Sequence, residues 1–293
     1  MRALLTGAGG QVGHEVEAAL AASPHHSVLA LTRADLDVSD RERTLQVIGE
    51  WAPEVVINAA AFTAVDACEQ EVDKAFAVNA LGPRNLAEGA RAVDAHLVHI
   101  STDYVFDGEA AGPYREWDEP RPLCVYGRSK LAGEREVAAL LPGATIVRSS
   151  WVCGRYGANM VKTVLRLAAS PGPLRFVDDQ KGCPTFADDL ASTLVRLAIA
   201  RLPGTFHVTN QGVTTWAGFA RDVLEVAGED PRRVEAITTE QLSPPRPARR
   251  PANSVLDNCA LRLLGWPMLD DYHLPLERVV KFLLSQAPPV KAT

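Results

Sequence analysis

Residues 2–13 read RALLTGAGGQVG. Arg2 to Thr6 form a short, mostly apolar run that ends at a glycine, and the residues from Gln11 onward have helical periodicity until Pro24 stops them. Between the two, Gly7, Gly10 and Gly13 stand in G-x-x-G-x-x-G spacing. A glycine turn that follows a strand and opens a helix is where a dinucleotide pyrophosphate meets unpaired backbone N–H groups and the positive end of the helix dipole. Gly7 permits the tight turn, Gly10 lets the backbone approach the pyrophosphate, and Gly13 lets the helix lie close on its strand. Gln11 and Val12, which open the helix, are read as cofactor contacts together with Gly7 and Gly10.

Outward from this turn, apolar strands alternate with helical segments. SVLALT, EVVINAAA, AHLVHIST and ATIVRSS read as strands two to five, and GTFHVT as a further strand. The helix SDRERTLQVIGEWAP has Ser39 as its expected N-cap, acids in its first turn and Pro53 at its end. DKAFAVNALGPRNLAEGARAV reads as helical on both sides of a break at Gly82-Pro83. This rhythm predicts an α/β protein: a Rossmann-like, doubly wound parallel sheet with a smaller C-terminal substrate domain. The expected boundaries are 1–152 plus about 186–210 for the dinucleotide-binding domain, and about 153–185 plus 211–293 for the substrate-binding domain.

The composition narrows the class. With 47% hydrophobic and 23% charged residues, the 293-residue chain can bury a sizeable core unaided. A net charge of -6 argues against nucleic acid as a partner. No apolar run approaches the roughly 18 residues of a membrane span, and Met1 leads straight into a strand, so neither a membrane segment nor a signal peptide is expected. The five cysteines are odd in number and never in C-x-x-C spacing, which fits reduced thiols in a cytoplasmic protein and predicts no zinc site.

Two further features carry chemistry. At the tip of the second strand, where an acid would bind the ribose 2′-hydroxyl of NAD, stands Arg33. A guanidinium there suits the 2′-phosphate of NADP, and Asp37 follows close by. In VYGRSK, Tyr126 and Lys130 lie one helical turn apart and share a face. An ammonium beside a phenol is expected to favour the phenolate and lower its pKa, giving a proton donor usable near neutral pH.

Gly7/Gly10/Gly13, NAAA (58–61), STDYVFDG (101–108) and YGRSK (126–130) occur in one order. Together they resemble the extended short-chain dehydrogenase/reductases. The narrower likeness is to the dTDP-4-dehydrorhamnose reductase family, through GGQVG, NAAAFTAVDACE, Asn79-Ala80, VYGRSKLAGE, VRSSWV, DDQKGCPT and RRPANS. The resemblance implies reduction of the 4-keto group of a dTDP-6-deoxyhexulose, with NADPH as cofactor and NADH left open. It implies Tyr126 as proton donor, Lys130 as its partner and Thr102 as the hydroxyl that orients the carbonyl, with Ala60 and Ala61 lining the cofactor cleft. It implies Asp103, Trp151, Arg249, Arg250 and Asn253 on the substrate side, although Trp151 also reads as a domain-interface residue and the two arginines as solvated charges. Asp66 and Glu69 read as solvated charges. Where related 4,6-dehydratases carry a glutamate after Thr-Asp, this chain has Tyr104, which favours simple reduction. Some members of the family hold a divalent metal at a dimer interface. Glu15 matches one ligand position, but Asp188 stands where a glutamate is expected, so no metal is assigned and a homodimer stays open. A ketoreductase making another deoxysugar, or a non-catalytic regulatory subunit of the same fold, are the rival readings.

Overall fold

A computed structural model of the chain describes residues 1–286. β1 (Arg2–Thr6) passes through the glycine turn into α1 (Gln11–Ala21), followed by β2 (Ser27–Leu31), α2 (Arg41–Trp51) and β3 (Val55–Asn58). Two short helices, α3 (Val65–Cys68) and α4 (Val72–Phe76), lead through a π turn at Ala77–Leu81 into α5 (Gly82–Ala92). β4 (His96–Thr102), α6 (Val125–Leu140) and β5 (Thr145–Ser149) complete the first run.

After β5 come β6 (Val152–Cys153), α7 (Met160–Ala168), β7 (Leu174–Val177), β8 (Lys181–Gly182), β9 (Thr185–Phe186), α8 (Ala187–Ala200) and β10 (Gly204–His207). The last elements are β11 (Thr214–Thr215), α9 (Trp216–Val226), β12 (Val234–Ile237), α10 (Cys259–Leu263) and α11 (His273–Gln286).

The six-stranded sheet has the order β2-β1-β3-β4-β5-β10, and every pairing in it is parallel. GTFHVT therefore forms an edge strand, beside β5. Both faces of the sheet are covered, which is why its strands read as near-continuous apolar runs. Leu5, Val55, Ile57 and Val98 turn toward α1 and α8, while Leu4, Val56 and Leu97 turn toward α2 and α5. Each such fully buried side chain contributes roughly 1.5–3 kcal/mol of hydrophobic stabilisation. A separate core brings together α7, α9 and α11 through Val161, Val164, Phe219, Val223, Leu276 and Val279. β7 and β12 pair in parallel beside it.

Two local expectations are corrected. The cap of α2 is Asp40, whose carboxylate accepts the Arg43 N–H at 3.0 Å. Ser39 is taken instead by Asp37, which accepts both its N–H and its hydroxyl. Gly82-Pro83 does not break the chain's helical path. Gly82 has helical torsions of −55° and −55°, and Pro83 sits in the first turn of α5, where a missing N–H costs nothing. The irregularity is taken up one turn earlier, by the π turn.

The chain leaves β1 for β2 on one side and returns across it to β3 on the other. The gap between the carboxyl ends of β1 and β3 is therefore a topological switch point, the place where open parallel sheets bind ligands.

Candidate active site

At that switch point a cleft of about 440 Å³ opens, and Gly7, Gly10, Arg33, Asp37, Ala60 and Ala61 all line it. Gly7 has a φ of +72°, and a Cβ there would lie 2.5 Å from the backbone of Ala59 and Ala60, so β1 and the end of β3 approach too closely for any other residue. A Cβ on Gly13 would sit 2.1 Å from the Gly7 carbonyl oxygen, so α1 can lie on its strand only through glycine. This bare backbone at a helix N-terminus fits a dinucleotide pyrophosphate.

The side chains of Gln11 and Val12 turn away from the cleft. The Gln11 side chain points across to the second core: its amide nitrogen donates to the Val152 carbonyl at 3.4 Å, and its oxygen accepts from Asn159 at 2.9 Å. Val12 packs against the main core. What they present at the glycine turn is backbone, the first N–H groups of α1, which have no partner within the helix. Arg33 and Asp37 are both exposed on the lip of the cleft. The Ser39 hydroxyl and N–H hold the Asp37 carboxyl below its usual range, with a smaller pull from Arg33.

Beside this cleft the structure brings together Thr102, the last residue of β4, and Tyr126 and Lys130 in the first two turns of α6. They are 5%, 9% and 2% exposed. The Thr102 hydroxyl donates to Asp103 Oδ1 at 3.0 Å and accepts the Tyr104 N–H at 3.2 Å. Lys130 Nζ donates to the Ile100 carbonyl at 2.6 Å. Burial pulls the Lys130 ammonium down to about 8, and the Glu134 carboxylate opposes it.

The expected lowering of the phenol by the lysine is not what governs Tyr126. Burial pushes its pKa above the ordinary value, and the opposing pull comes from the Thr102 hydroxyl. The ammonium is turned to a β4 carbonyl, so desolvation of the phenolate wins. The Tyr104 ring packs edge-on against Tyr126, with centroids 5.5 Å apart.

Three residues that hold this group carried no role in the sequence. Asn79, wholly buried in the π turn, binds the Phe62 N–H and carbonyl at 2.8 and 3.0 Å and donates to the Ser129 hydroxyl on α6 at 3.0 Å. Single π turns often mark functional sites, and this one ties the loop after β3 to the helix of Tyr126. Glu69, read as a solvated charge, accepts the Val125 N–H at the start of α6 at 2.7 Å. Asp66, read the same way, binds the Arg250 guanidinium with both oxygens, at 2.9 and 2.8 Å, and accepts the Ala248 N–H at 3.1 Å. Only the offset of Glu69 and Asp66 from the third strand, at the mouth of the cleft, could have drawn attention to them.

The substrate-side expectations separate. Arg250 is committed to Asp66, whereas Arg249 is exposed. Asn253 donates to the carbonyls of Ala110 and Gly112 at 2.8 and 2.9 Å, so it fixes that loop. Trp151 has a φ of +47°, a strained conformation for a bulky residue, and stacks on Trp216 with ring centroids 3.5 Å apart. It thereby joins the end of β5 to α9. Asp103 is 2% exposed and its Oδ2 has no hydrogen-bond partner. Burial pushes its carboxyl up to about 6.

Glu15 and Asp188 face arginines. Arg155 binds Glu15 with two nitrogens at 3.0 and 2.6 Å and lies 3.9 Å from Asp188, which also pairs with Arg278 at 2.9 Å. Among the described residues, no cluster of three or more His, Cys, Asp or Glu side chains could hold a metal.

A fold of this order, with a glycine cradle and a buried Thr-Tyr-Lys group, matches a known family along almost its whole length. The RmlD substrate binding domain family matches residues 1–284. The chain belongs to that family.

Among proteins similar to this RmlD-family chain, the dTDP-4-dehydrorhamnose reductase of Aggregatibacter actinomycetemcomitans is 42% identical, over 87% of this chain and 90% of its own. The probable dTDP-4,6-dihydroxy-2-methyloxan-3-one 4-ketoreductase of Streptomyces antibioticus is 40% identical over 99% of both chains. The crystal structure of the Bacillus anthracis dTDP-4-dehydrorhamnose reductase in complex with NADP superposes with a TM-score of 0.91 at 37% identity, covering 96% of this chain and 99% of that one.

Proposed function

We propose that this RmlD-family chain reduces the 4-keto group of dTDP-4-dehydro-6-deoxy-L-mannose with NADPH, yielding dTDP-L-rhamnose. The observation that carries the reading is the convergence of buried Thr102, Tyr126 and Lys130 beside the glycine-lined cleft. NADPH, when bound, supplies the hydride that the carbonyl carbon receives. Tyr126 supplies the proton to the carbonyl oxygen. Its burial keeps the phenol protonated in the free protein at neutral pH, which is the form an acid needs. Thr102 holds a hydroxyl beside that phenol and orients the oxygen. Lys130 presents a buried ammonium one turn along the same helix, which stabilises negative charge as it develops.

Gly7, Gly10 and the first N–H groups of α1 would hold the pyrophosphate, and Ala60 and Ala61 the wall beside it. Arg33 is the candidate for the 2′-phosphate. On this reading the sheet, residues 1–152 with about 186–210, forms the cofactor domain. Residues 153–185 and 211–286 form the substrate domain, whose expected continuation to 293 lies outside the described residues. Trp151 and Asp103 stand at the junction of the two. The five buried, unpaired cysteines support a reducing compartment such as the cytoplasm. Among the described residues, no helix is long and apolar enough to cross a membrane.

The test is loss of nicotinamide absorbance when the enzyme is mixed with NADPH and that keto-sugar. Correctly folded protein that consumes no NADPH refutes the reading. The similarity to the Streptomyces 4-ketoreductase along the full chain favours a second reading, reduction of another dTDP-keto-deoxysugar. A panel of dTDP- and UDP-keto-sugars, compared by kcat/KM, decides between them.

A further inference from the structure

The helix that carries Tyr126 and Lys130 buries a third ionisable residue on the same stripe. Tyr126, Lys130 and Glu134 are spaced four apart on α6 and are all at most 9% exposed, so each stands one turn above the last. Glu134 reaches no cofactor cleft. Its Oε1 accepts the Ser101 hydroxyl of β4 and Arg148 Nε of β5, the latter at 2.9 Å, and its Oε2 accepts Arg148 Nη2 at 2.7 Å. Arg148, 5% exposed, also donates to the Glu116 carbonyl at 3.3 Å. A fork of this kind, cut off from water, is expensive to build, and its partners could be replaced by apolar residues without loss of stability.

We propose that Glu134 is a positioning residue that acts through Lys130: its carboxylate, fixed by Arg148 and Ser101, keeps the buried lysine ammonium charged and seated on β4.

The charges around Lys130 make the sign definite. On α6, Glu134 lies one turn away and favours the ammonium, while the protonated Tyr126 lies one turn the other way and carries no charge. From β4, His99 is fully buried, its Nδ1 paired with Asn58 Nδ2 at 3.0 Å, and burial holds it neutral. From β5, Arg148 is a like charge. Asp103, at the end of β4, is bonded to Thr102. Burial alone draws Lys130 toward neutrality, and the Glu134 charge opposes it. Glu134 is thus the carboxylate that offsets the cost of burial, and removing its charge lowers the Lys130 pKa.

The experiment reads Lys130 directly. The chain has six lysines, so lysine labelled with ¹³C at Cε gives few resonances, and Lys130→Met assigns the one of interest. In Glu134→Gln the Lys130 midpoint is expected to fall by about one pH unit, since losing a nearby opposite charge shifts an ammonium in this direction. Glu134→Asp, which keeps the charge, should restore most of the wild-type midpoint. A merely structural role would lower the thermal midpoint of both variants without separating their Lys130 titrations, and that result overturns the proposal. If Glu134→Gln does not fold, the paired replacement Glu134→Gln with Arg148→Met, which leaves no buried charge without its partner, carries the test, and an unmoved midpoint refutes the proposal.

A second arm rests on the reductase reading: the alkaline limb of kcat/KM for NADPH should follow the same shifts, because this ratio reports groups of the free enzyme. Failure of wild-type turnover would refute that reading and leave the NMR result standing.

Discussion

Glu69 accepts the backbone N–H of Val125 at 2.7 Å. A carboxylate from the loop after β3 thus caps the helix whose second residue is Tyr126. The N-cap residue itself is Cys124, whose thiol only weakly accepts the Gly127 N–H at 3.5 Å. The α6 amino end therefore depends on Glu69 both for a hydrogen bond and for a charge matched to the helix dipole. Glu69→Ala should cost roughly 1–2 kcal/mol of stability and lower kcat by about tenfold, because small displacements of an acid are costly. Glu69→Gln should recover most of the stability. Urea unfolding and initial rates on the three proteins check this. Unchanged kcat in Glu69→Ala would show that Tyr126 is placed without the cap.

Tyr126→Phe removes the phenolic hydroxyl and its interaction with Thr102 but keeps the ring that packs on Tyr104. Turnover should drop by about 10²–10⁴-fold, the usual worth of a general acid. Affinity for NADPH, titrated by fluorescence quenching, should stay within about threefold, less than 1 kcal/mol. Full activity in this variant would assign the acid elsewhere.

Tyr126, Lys130 and the glycine turn are legible because each depends on local spacing, whereas Thr102 is reached only through the family resemblance. A strand, a turn and a helix in succession must place a glycine cradle at a sheet's carboxyl edge, and two residues four apart must share a helix face. Glu69 was misread because its partner lies 56 positions away, and Asp66 because Arg250 lies 184 away. No periodicity in either segment records such pairings, so a carboxylate after a strand looks like any exposed charge. The same holds for the phenol of Tyr126. Its residue type and neighbour were visible, but the direction of its pKa shift depends on burial by Tyr104, Cys68 and Val125, which meet only in the folded chain. The sequence points to an irregularity at Gly82-Pro83, but the π turn that holds Asn79 lies at Ala77–Leu81 and needs no proline or glycine to mark its position.

Arg33 sits on the cleft lip without an ion-pair partner among the described residues, and Asp35 nearby is engaged by the N–H and hydroxyl of Thr32. A free guanidinium at this place should select the phosphorylated cofactor. Arg33→Ala is expected to weaken NADPH by about tenfold, close to 1.4 kcal/mol, and to leave NADH unchanged. Calorimetric titration with both cofactors measures the ratio. Equal affinities in the wild-type protein would remove the argument for Arg33 altogether.

Asp103 supplies the pH prediction. In the unfolded chain its carboxyl titrates near 3.8, and in the folded chain burial raises it to about 6. Below pH 4 the group is neutral in both states, and the stability it contributes relative to its charged form is fully present. As pH rises through 6, the folded protein must carry a buried anion with one unpaired oxygen, and that stability is lost, up to about 3 kcal/mol. Asp103→Asn keeps an acceptor for Thr102 and removes the titration. The variant should therefore unfold at higher urea than wild type at pH 8 and show a smaller change between pH 5 and pH 8. If Asp103 also contacts the sugar, the same variant should raise KM for the keto-sugar while leaving NADPH affinity intact. A wild-type stability that does not decline between pH 5 and pH 8 relative to Asp103→Asn would show that the carboxylate is compensated in the folded protein.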